Sequence, residues 1–584
     1  MSSAATTGGT YPMLECGDLI LRYLERMGIR FVFGVPGGSI EPFYNALARS
    51  ERRGGIRAVT ARHETGAAFM ADGYARETGG LGVCCATAGP GATNLLTGVA
   101  TAYADGLPML VITGQTALNR FGQGALQESS CTSVDILSMF AKCTRYNTLV
   151  SHPDQLEPKL LQALSHALGQ EPGPVHLSIP LDVMRHPVVD RPGLRHPDAF
   201  ITQPLMPAPE SMQLLIDELS QKERVALVLG EGAAGSSQLW VQLAEQRNWS
   251  IVTTPRAKGL VNSFHPLYKG VFGFAGHDSA TRALHQESAD RILLVGAALD
   301  EVSTSGWDAE TLMSERLVHL SSNPVHLARA TMAQLVVQGE PKFVVEQLLR
   351  ASRDSHQRVP AWQPTQGVPA YIDNRLKAGC LVKSGPVKPQ ALITYLSKQC
   401  PAGTRALFDS GNSFLWGIHC WNLGLPEQAP PNKNLFHIGI GFAPMGWAIG
   451  ASVGMAMAAE GAPVLCVTGD GSYLMSGQEL TAAVQENRNL LMVVLNDASL
   501  GMVRHGQALG GAERIANTLP RVDYAKLAEA LGVESHCIAS MEELYALDLD
   551  AIFERPGPCL LDVRIDGDEV PPMGARMKVL NQSD

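Results

Sequence analysis

The sequence predicts an α/β protein built as three consecutive open, parallel, doubly wound sheets. Short apolar runs that end in Gly-rich turns alternate with amphipathic stretches along nearly the whole chain. Such alternation builds parallel sheets covered on both faces. The chain has 584 residues, more than one core can hold, and domains of roughly 100–200 residues make three the natural count. Its 58 glycines suit many tight strand-to-helix turns.

The first block, residues 13–185, has strands at 29–37, 81–91, 109–114 and 175–180, with helices at 14–27 and 65–77 among the connections. Residues 185–211 are rich in Pro and His, lack a period and read as a linker. The second block, 212–352, repeats the pattern, with strands at 225–229, 250–254, 291–295 and 317–320. A second linker, 353–386, carries scattered Pro and Gly. The third block, 387–566, has strands at 405–408, 463–468, 491–496 and 559–563. The tail, 567–584, reads equally as an ordered lid or a loose end.

Composition excludes several classes. The formal net charge is −10, acids and bases are interspersed, and no basic block stands out. A nucleic-acid partner is not expected. The 11 cysteines form no CxxC pair and no zinc-spaced cluster, and adjacent Cys84 and Cys85 read as buried thiols. A reducing cytoplasm fits. Residues 1–10 are small and polar without an apolar core, so no targeting segment is expected. No run of about 18 apolar residues predicts a membrane span. The Gly/Ala/Met-rich stretch 445–459 is too short for one and reads as a buried helix.

In open α/β sheets ligands bind beyond the carboxyl ends of the strands, where two motifs lie. Strand 463–468 runs into Gly469-Asp470-Gly471-Ser472, a helical stretch follows at 478–486, and the next strand ends at Asn496. The glycines let backbone N–H groups approach an anion. Asp470 offers a hard carboxylate and Asn496 a carbonyl oxygen. With diphosphate oxygens and water they suit octahedral Mg²⁺. Alone, the motif would read as a Gly-rich turn with a solvated acid. Glu64 stands where strand gives way to helix, a position that also suits a plain helix-capping acid.

Taken in order, the motifs are more specific. The spacing from Gly469-Asp470-Gly471 to Asn496 resembles the thiamine-diphosphate signature. Arg62-His63-Glu64 with the following 65–76 resembles the acetolactate-synthase stretch that carries the cofactor-activating glutamate. Gly34-Val35-Pro36-Gly37-Gly38, the run Thr87-Ala88-Gly89-Pro90-Gly91-Ala92-Thr93-Asn94, residues 107–115, Gln127-Glu128 and Gly446 match further blocks of the same family. The resemblance covers most of the chain.

That resemblance implies thiamine diphosphate and Mg²⁺ as cofactors. It implies that Glu64 hydrogen-bonds the aminopyrimidine N1′ and, with Gln127, is catalytic. Pro36, Gly89, Pro90 and Asn94 would join Glu64 in binding the cofactor. Asp470, Asn496 and the Ala498 carbonyl would hold the metal. Ser410, Gly411, Asn412 and Ser413 would grip the diphosphate, Asn412 and Ser413 replacing the family's usual Gln and His. Ala443, Met445, Gly469, Gly471, Ser472, Leu500, Gly501 and Met502 complete the set, with Met445 under the bend of the cofactor.

The departures from the family fall on the acceptor side. Ala298 stands in place of an arginine in the stretch 296–302, Gly506 in place of a tryptophan, Leu181 in place of a lysine, and Leu126 in place of a frequent Phe. An arginine there would hold a second keto-acid carboxylate. Arg256 and His505 are substitutes of the right chemistry, and each also reads as a surface residue. The family keeps a non-redox FAD in its middle domain. Gly230-Glu231-Gly232-Ala233-Ala234-Gly235 is a Gly-rich turn after a strand, but the stretch 271–277 departs from the family's, so FAD, another nucleotide or nothing stays open.

The expected function is decarboxylation of a 2-keto acid, with pyruvate as donor, and transfer of the acyl unit to an acceptor. A decarboxylase, lyase or C–C hydrolase of the same cofactor is the alternative. A non-catalytic relative fits poorly beside Glu64, Asp470 and Asn496. The resemblance also implies a homo-oligomer with active sites at the subunit interface.

Overall fold

Each interior strand is a short aliphatic run buried on both faces, and this pattern sets the architecture. The computed structural model describes residues 13–190, 204–352, 368–424 and 433–581. The chain divides into two units, Met1–Gln203 and Pro204–Asp584.

The first unit holds a six-stranded parallel sheet, ordered Arg57–Thr60, Phe31–Gly34, Gly82–Ala86, Met109–Gln115, Pro174–Pro180, Tyr146–Leu149. Counted along the chain, that is 2-1-3-4-6-5. All seven residues of Met109–Gln115 are buried, and each fully buried Val, Leu or Ile contributes roughly 1.5–3 kcal/mol. Register runs through Cys84, Val111 and His176 on three adjacent strands. A separate antiparallel pair joins Met13–Glu15 to Pro187–Val189. Residues 14 and 15, expected in a helix, therefore belong to a strand. The helix is Cys16–Arg26, closed by a capping box between Glu15 and Asp18.

The second unit holds two more six-stranded parallel sheets. The central one is ordered Tyr268–Val271, Ser250–Thr253, Val225–Leu229, Arg291–Val295, Leu317–Ser321, Leu335–Gln338, or 3-2-1-4-5-6. The last is ordered Phe436–Ile438, Arg405–Phe408, Val464–Gly469, Leu490–Asn496, Pro558–Arg564, Glu534–Ile538, again 2-1-3-4-6-5. One apolar cluster runs through both, with Trp240, Tyr371 and Trp416 among its members. Helix Trp447–Ala458 is buried at every position, as its composition predicts.

Some local readings need correction. The stretch 185–211 contains strand Pro187–Val189 and the start of helix Pro209–Ser220; residues 191–203 lie outside the described residues. Proline at the first turn opens that helix, and Met212, Leu215 and Leu219 bury its inner face. The stretch 353–386 contains helix Asn374–Cys380, capped by the Asp373 carboxylate on the Arg375 N–H; residues 353–367 lie outside the described residues. The tail carries helix Gly574–Asn581; residues 582–584 lie outside the described residues. All eleven cysteines are free thiols. Among the described residues no helix is long and apolar enough to cross a membrane.

Candidate active site

In the second unit, three helices begin at the carboxyl ends of the last sheet's strands or just beyond them: Asn412–Cys420, Asp470–Ser476 and Gly501–Leu509. Their first residues line one cavity of about 400 Å³. Helix N-termini present free N–H groups and a positive dipole end, which suits an anion. The turn read before 478–486 is thus itself helical from Asp470 onward, and the later helix is only Leu480–Gln485.

Ser410, Gly411, Asn412, Ser413, Ala443, Met445, Gly469, Asp470, Gly471, Ser472, Leu500, Gly501 and Met502 all line this cavity. Gly411 has φ 122°, open chiefly to glycine. A Cβ on Gly471 would lie 2.7 Å from Leu500 Cδ2 and 3.4 Å from Met445 Cε, so only a glycine leaves that wall in place. Ser413 Oγ donates to the Asp409 carbonyl at 2.7 Å.

Asn496 and Ala498 stand beside the lining rather than in it. Asn496 Nδ2 donates to the Val522 carbonyl at 3.0 Å and to Asp562 Oδ1 at 2.8 Å. Its Oδ1 is buried without a hydrogen-bond partner, as are Asp470 Oδ2 and Ser472 Oγ. Burial of bare oxygens is costly, so the two carbonyl-type oxygens fit a cation. The N–H groups of Gly471, Ala498 and Ser499 face the Asp470 carboxylate. Burial, then the nearby Asp497, pushes its carboxyl up to about 6. Ala498 adopts a left-handed φ of 53°. Its carbonyl accepts the Leu519 N–H at 2.8 Å, which leaves a second lone pair. The donor set of one carboxylate, one amide oxygen and one carbonyl suits Mg²⁺.

Residues that the sequence reading did not single out complete the wall. Asp409 is fully buried and accepts from the Gly446 N–H at 2.8 Å, the Ala448 N–H at 3.1 Å and Thr468 Oγ1 at 2.9 Å. It pins the turn that presents Ala443 and Met445. Asp497, Ser499, Phe274, Val302, Glu301 and Arg576 also line the cavity. The last four come from the central domain and the tail; Phe274, Glu301 and Val302 lie in the stretches 271–277 and 296–302 where the chain departs from the family, and no motif pointed to Arg576.

The substitute candidates on the acceptor side resolve differently. Arg256 pairs with Asp300 at 3.1 Å and Glu231 at 3.3 Å and is absent from the cavity lining. His505 is buried, contacts Asn412 Nδ2 at 3.2 Å and the Gly567 carbonyl at 3.0 Å, and burial holds its imidazole below the usual range.

In the first unit, Glu64 opens helix Glu64–Thr78, and His63 caps that helix on the Thr65 N–H. Asn94 Nδ2 donates to Glu64 Oε2 at 2.9 Å, while Thr65 Oγ1 donates to the Asn94 carbonyl at 2.5 Å. A Cβ on Gly91 would sit 3.2 Å from Glu64 Oε1. Gly89, at φ 61°, donates its N–H to Ser129 Oγ at 3.2 Å and packs beneath Gln127, itself left-handed at φ 59° and exposed. Pro90 starts the short helix Pro90–Asn94. The loop bearing Pro36 reaches the same strand ends, where Ser39 N–H meets Thr87 Oγ1 at 3.3 Å. Pro36, Glu64, Gly89, Pro90, Asn94 and Gln127 thus all lie on the carboxyl-end loops of this sheet.

The central sheet reverses strand order between Val225–Leu229 and Arg291–Val295, the place where a nucleotide would sit. There a Cβ on Gly230 would lie 2.5 Å from the Gly296 carbonyl, and one on Gly232 3.0 Å from Gly296 Cα. These glycines serve close backbone packing. Glu231 and Asp300 bring two carboxylates against the single guanidinium of Arg256, and burial pushes Glu231 above the usual range. This arrangement does not fit the diphosphate of FAD.

Comparison with known proteins bears on both units. Residues 14–138 match the thiamine pyrophosphate enzyme N-terminal TPP binding domain, 212–348 the central domain and 409–563 the C-terminal TPP binding domain. The chain is 31% identical to acetolactate synthase of Arthrospira platensis, over 94% of this chain and 93% of that one. It is 30% identical to the acetolactate synthase isozyme 1 large subunit of Escherichia coli strain K12, over 100% of both chains. The isozyme 2 large subunit of the same strain is 30% identical, over 96% of this chain and 98% of its own. The chain belongs to the thiamine pyrophosphate enzyme family. It is an enzyme, and thiamine diphosphate is its cofactor.

Proposed function

We propose that the protein decarboxylates a 2-keto acid, with pyruvate as donor, and transfers the acyl unit to an acceptor, in the manner that the names of its relatives indicate. The observation that carries the proposal is the pair of buried, unpartnered oxygens, Asp470 Oδ2 and Asn496 Oδ1, beside three converging helix N-termini. That set suits a divalent metal against a diphosphate.

Bound there, thiamine diphosphate supplies an electron sink for a carbon–carbon bond broken next to a keto carbonyl. The chain's residues do the rest. Asp470, Asn496 and the Ala498 carbonyl would hold Mg²⁺, and Ser410–Ser413 and Gly469–Ser472 would bind the phosphates. Met445 and Leu500 shape the apolar wall. Glu64, oriented by Asn94, holds or shares a proton with a ring nitrogen, and Gln127 stands near on the same loops. FAD has no part in the proposed reaction, because the central switch point does not fit it. Residues for the pyrimidine and for the diphosphate lie on different sheets, which supports a homo-oligomer whose subunits complete one another's sites. Eleven free thiols suit a cytoplasmic setting.

Incubation with pyruvate, Mg²⁺ and thiamine diphosphate tests the proposal. CO₂ release with an acetohydroxy acid or acyloin product is expected. No CO₂ from any small 2-keto acid would overturn it. Ala298, in place of the family's arginine, favours a second reading, a decarboxylase that releases free aldehyde. Mass spectrometry of the products separates the two.

A further inference from the structure

We infer that Arg576, on the tail helix Gly574–Asn581, binds the carboxylate of a 2-keto-acid acceptor at the mouth of the cofactor cavity. The inference rests on the keto-acid reading above and names the residue that selects the acceptor.

Arg576 is the only lysine or arginine among the described residues that line this cavity. Three carboxylates, Glu301, Asp470 and Asp497, line it as well. Asp470 is committed to the proposed metal, and Glu301 and Asp497 remain to repel the anion of a 2-keto acid, so a cation on the lining favours its entry. Arg576 Nη1 pairs with Glu301 Oε1 at 2.5 Å. Its side chain remains 43% exposed, and a guanidinium offers five donors in a fork that matches a carboxylate. Glu301 therefore competes for one side of the group without exhausting it.

The plain alternative is that the ion pair only fastens the tail. Half-exposed ion pairs contribute little to such fastening, and the tail has other anchors. Met573 is buried, Met577 packs on the apolar cluster and approaches Gly510, and Val579 lies against Gly306. The apolar neighbours Phe274 and Val302 on the same lining would flank an acceptor's side chain.

The acceptor is favoured over the donor on chemical grounds. The donor's carboxylate leaves as neutral CO₂, and a strong ion pair to it would stabilise the ground state more than the transition state. The acceptor's carboxylate survives into the product, so the same bond costs nothing there.

The test uses the cofactor- and Mg²⁺-loaded protein with Arg576→Gln, Arg576→Lys and Glu301→Gln. Calorimetric titration with oxamate, a pyruvate isostere that does not decarboxylate, reads binding without turnover. Arg576→Gln should weaken it at least tenfold, Arg576→Lys should fall between, and Glu301→Gln should tighten it. In a competition between a 2-keto acid and a neutral aldehyde as acceptors, Arg576→Gln should shift the product ratio at least tenfold toward the aldehyde adduct. Oxamate binding within twofold of wild type in both Arg576 variants, with an unchanged product ratio, would overturn the inference. So would weaker oxamate binding in Glu301→Gln, which also decides the matter if Arg576→Gln fails to fold. Absence of CO₂ release by the wild type would sink the proposed reaction, and the oxamate titrations would still report on Arg576.

Discussion

Asn496 Nδ2 donates to Asp562 Oδ1 at 2.8 Å, and this bond decides which end of the amide is left to act as a ligand. The other oxygen of Asp562 accepts the Tyr524 N–H at 3.0 Å, so the carboxylate cannot turn away. Asp562 is fully buried. Groups that orient a metal ligand matter nearly as much as the ligand. Asp562→Asn puts an amide where both neighbours donate. Magnesium-dependent binding of thiamine diphosphate, followed by intrinsic fluorescence, should weaken by about 10–100-fold. Unchanged binding would show that Asn496 is not a ligand.

Glu64 is held by one side-chain bond, from Asn94. Replacement by glutamine keeps the shape and removes the proton-sharing carboxylate. Turnover of Glu64→Gln should fall by about 10²–10⁴-fold. Asn94→Ala should lose roughly tenfold, consistent with one hydrogen bond to a charged group. Steady-state CO₂ release measures both, and a Glu64→Gln variant with wild-type turnover would remove this residue from the chemistry.

Asp409 accepts two backbone N–H groups and a hydroxyl from a fully buried position. Burial raises its carboxyl above the ordinary range, against the pull of those donors. Asp409→Ala leaves the donors of Gly446, Ala448 and Thr468 without a partner. A loss of about 3 kcal/mol or more is expected. Chemical denaturation should report it, and the weaker cofactor binding that follows would trace to the loosened 443–446 turn.

His176 is buried on the first sheet, stacked 4.2 Å from Phe140, with Thr113 Oγ1 at 2.8 Å and Asn147 Oδ1 at 2.7 Å. Burial lowers its imidazole from 6.5 to about 3. Between those values the unfolded chain binds the proton that the folded chain refuses. Stability from this residue is therefore complete above pH 6.5 and falls as the pH drops toward 3. At pH 5 the loss is roughly 2 kcal/mol. The melting temperature of wild type should fall more steeply from pH 7 to pH 5 than that of His176→Gln. Parallel slopes would refute the assignment.

The fold and the site were legible to different depths, for one physical reason. All twelve interior strands were anticipated, and the six that were not are the two edges of each sheet: Arg57–Thr60 and Tyr146–Leu149, Tyr268–Val271 and Leu335–Gln338, Phe436–Ile438 and Glu534–Ile538. An interior strand such as Leu490–Asn496 is buried throughout and reads as an unbroken apolar run. An edge strand such as Glu534–Ile538 is short and mostly half-buried, and its polar residues blur the run. The candidate site followed the same rule. Gly-rich turns after interior strands announced Asp470 and Asn412, whereas Glu64 follows the edge strand Arg57–Thr60 and was announced only by the family resemblance of its stretch. Arg576 and Phe274 reach the cavity from a tail and a loop with no periodicity, and Asp409, one residue before the diphosphate loop, gave no sign that its carboxylate would be an anchor.

The closure of each sheet within its own stretch of chain has a consequence for biogenesis. The strands of the first sheet lie between residues 31 and 180, those of the second between 225 and 338, and those of the third between 405 and 564. None is borrowed from another stretch. As synthesis proceeds from the N-terminus, each hydrogen-bonded layer can finish on the ribosome before the next begins to emerge. The order of translation thus spares the chain the slowest kind of search, in which a strand waits hundreds of residues for its neighbour.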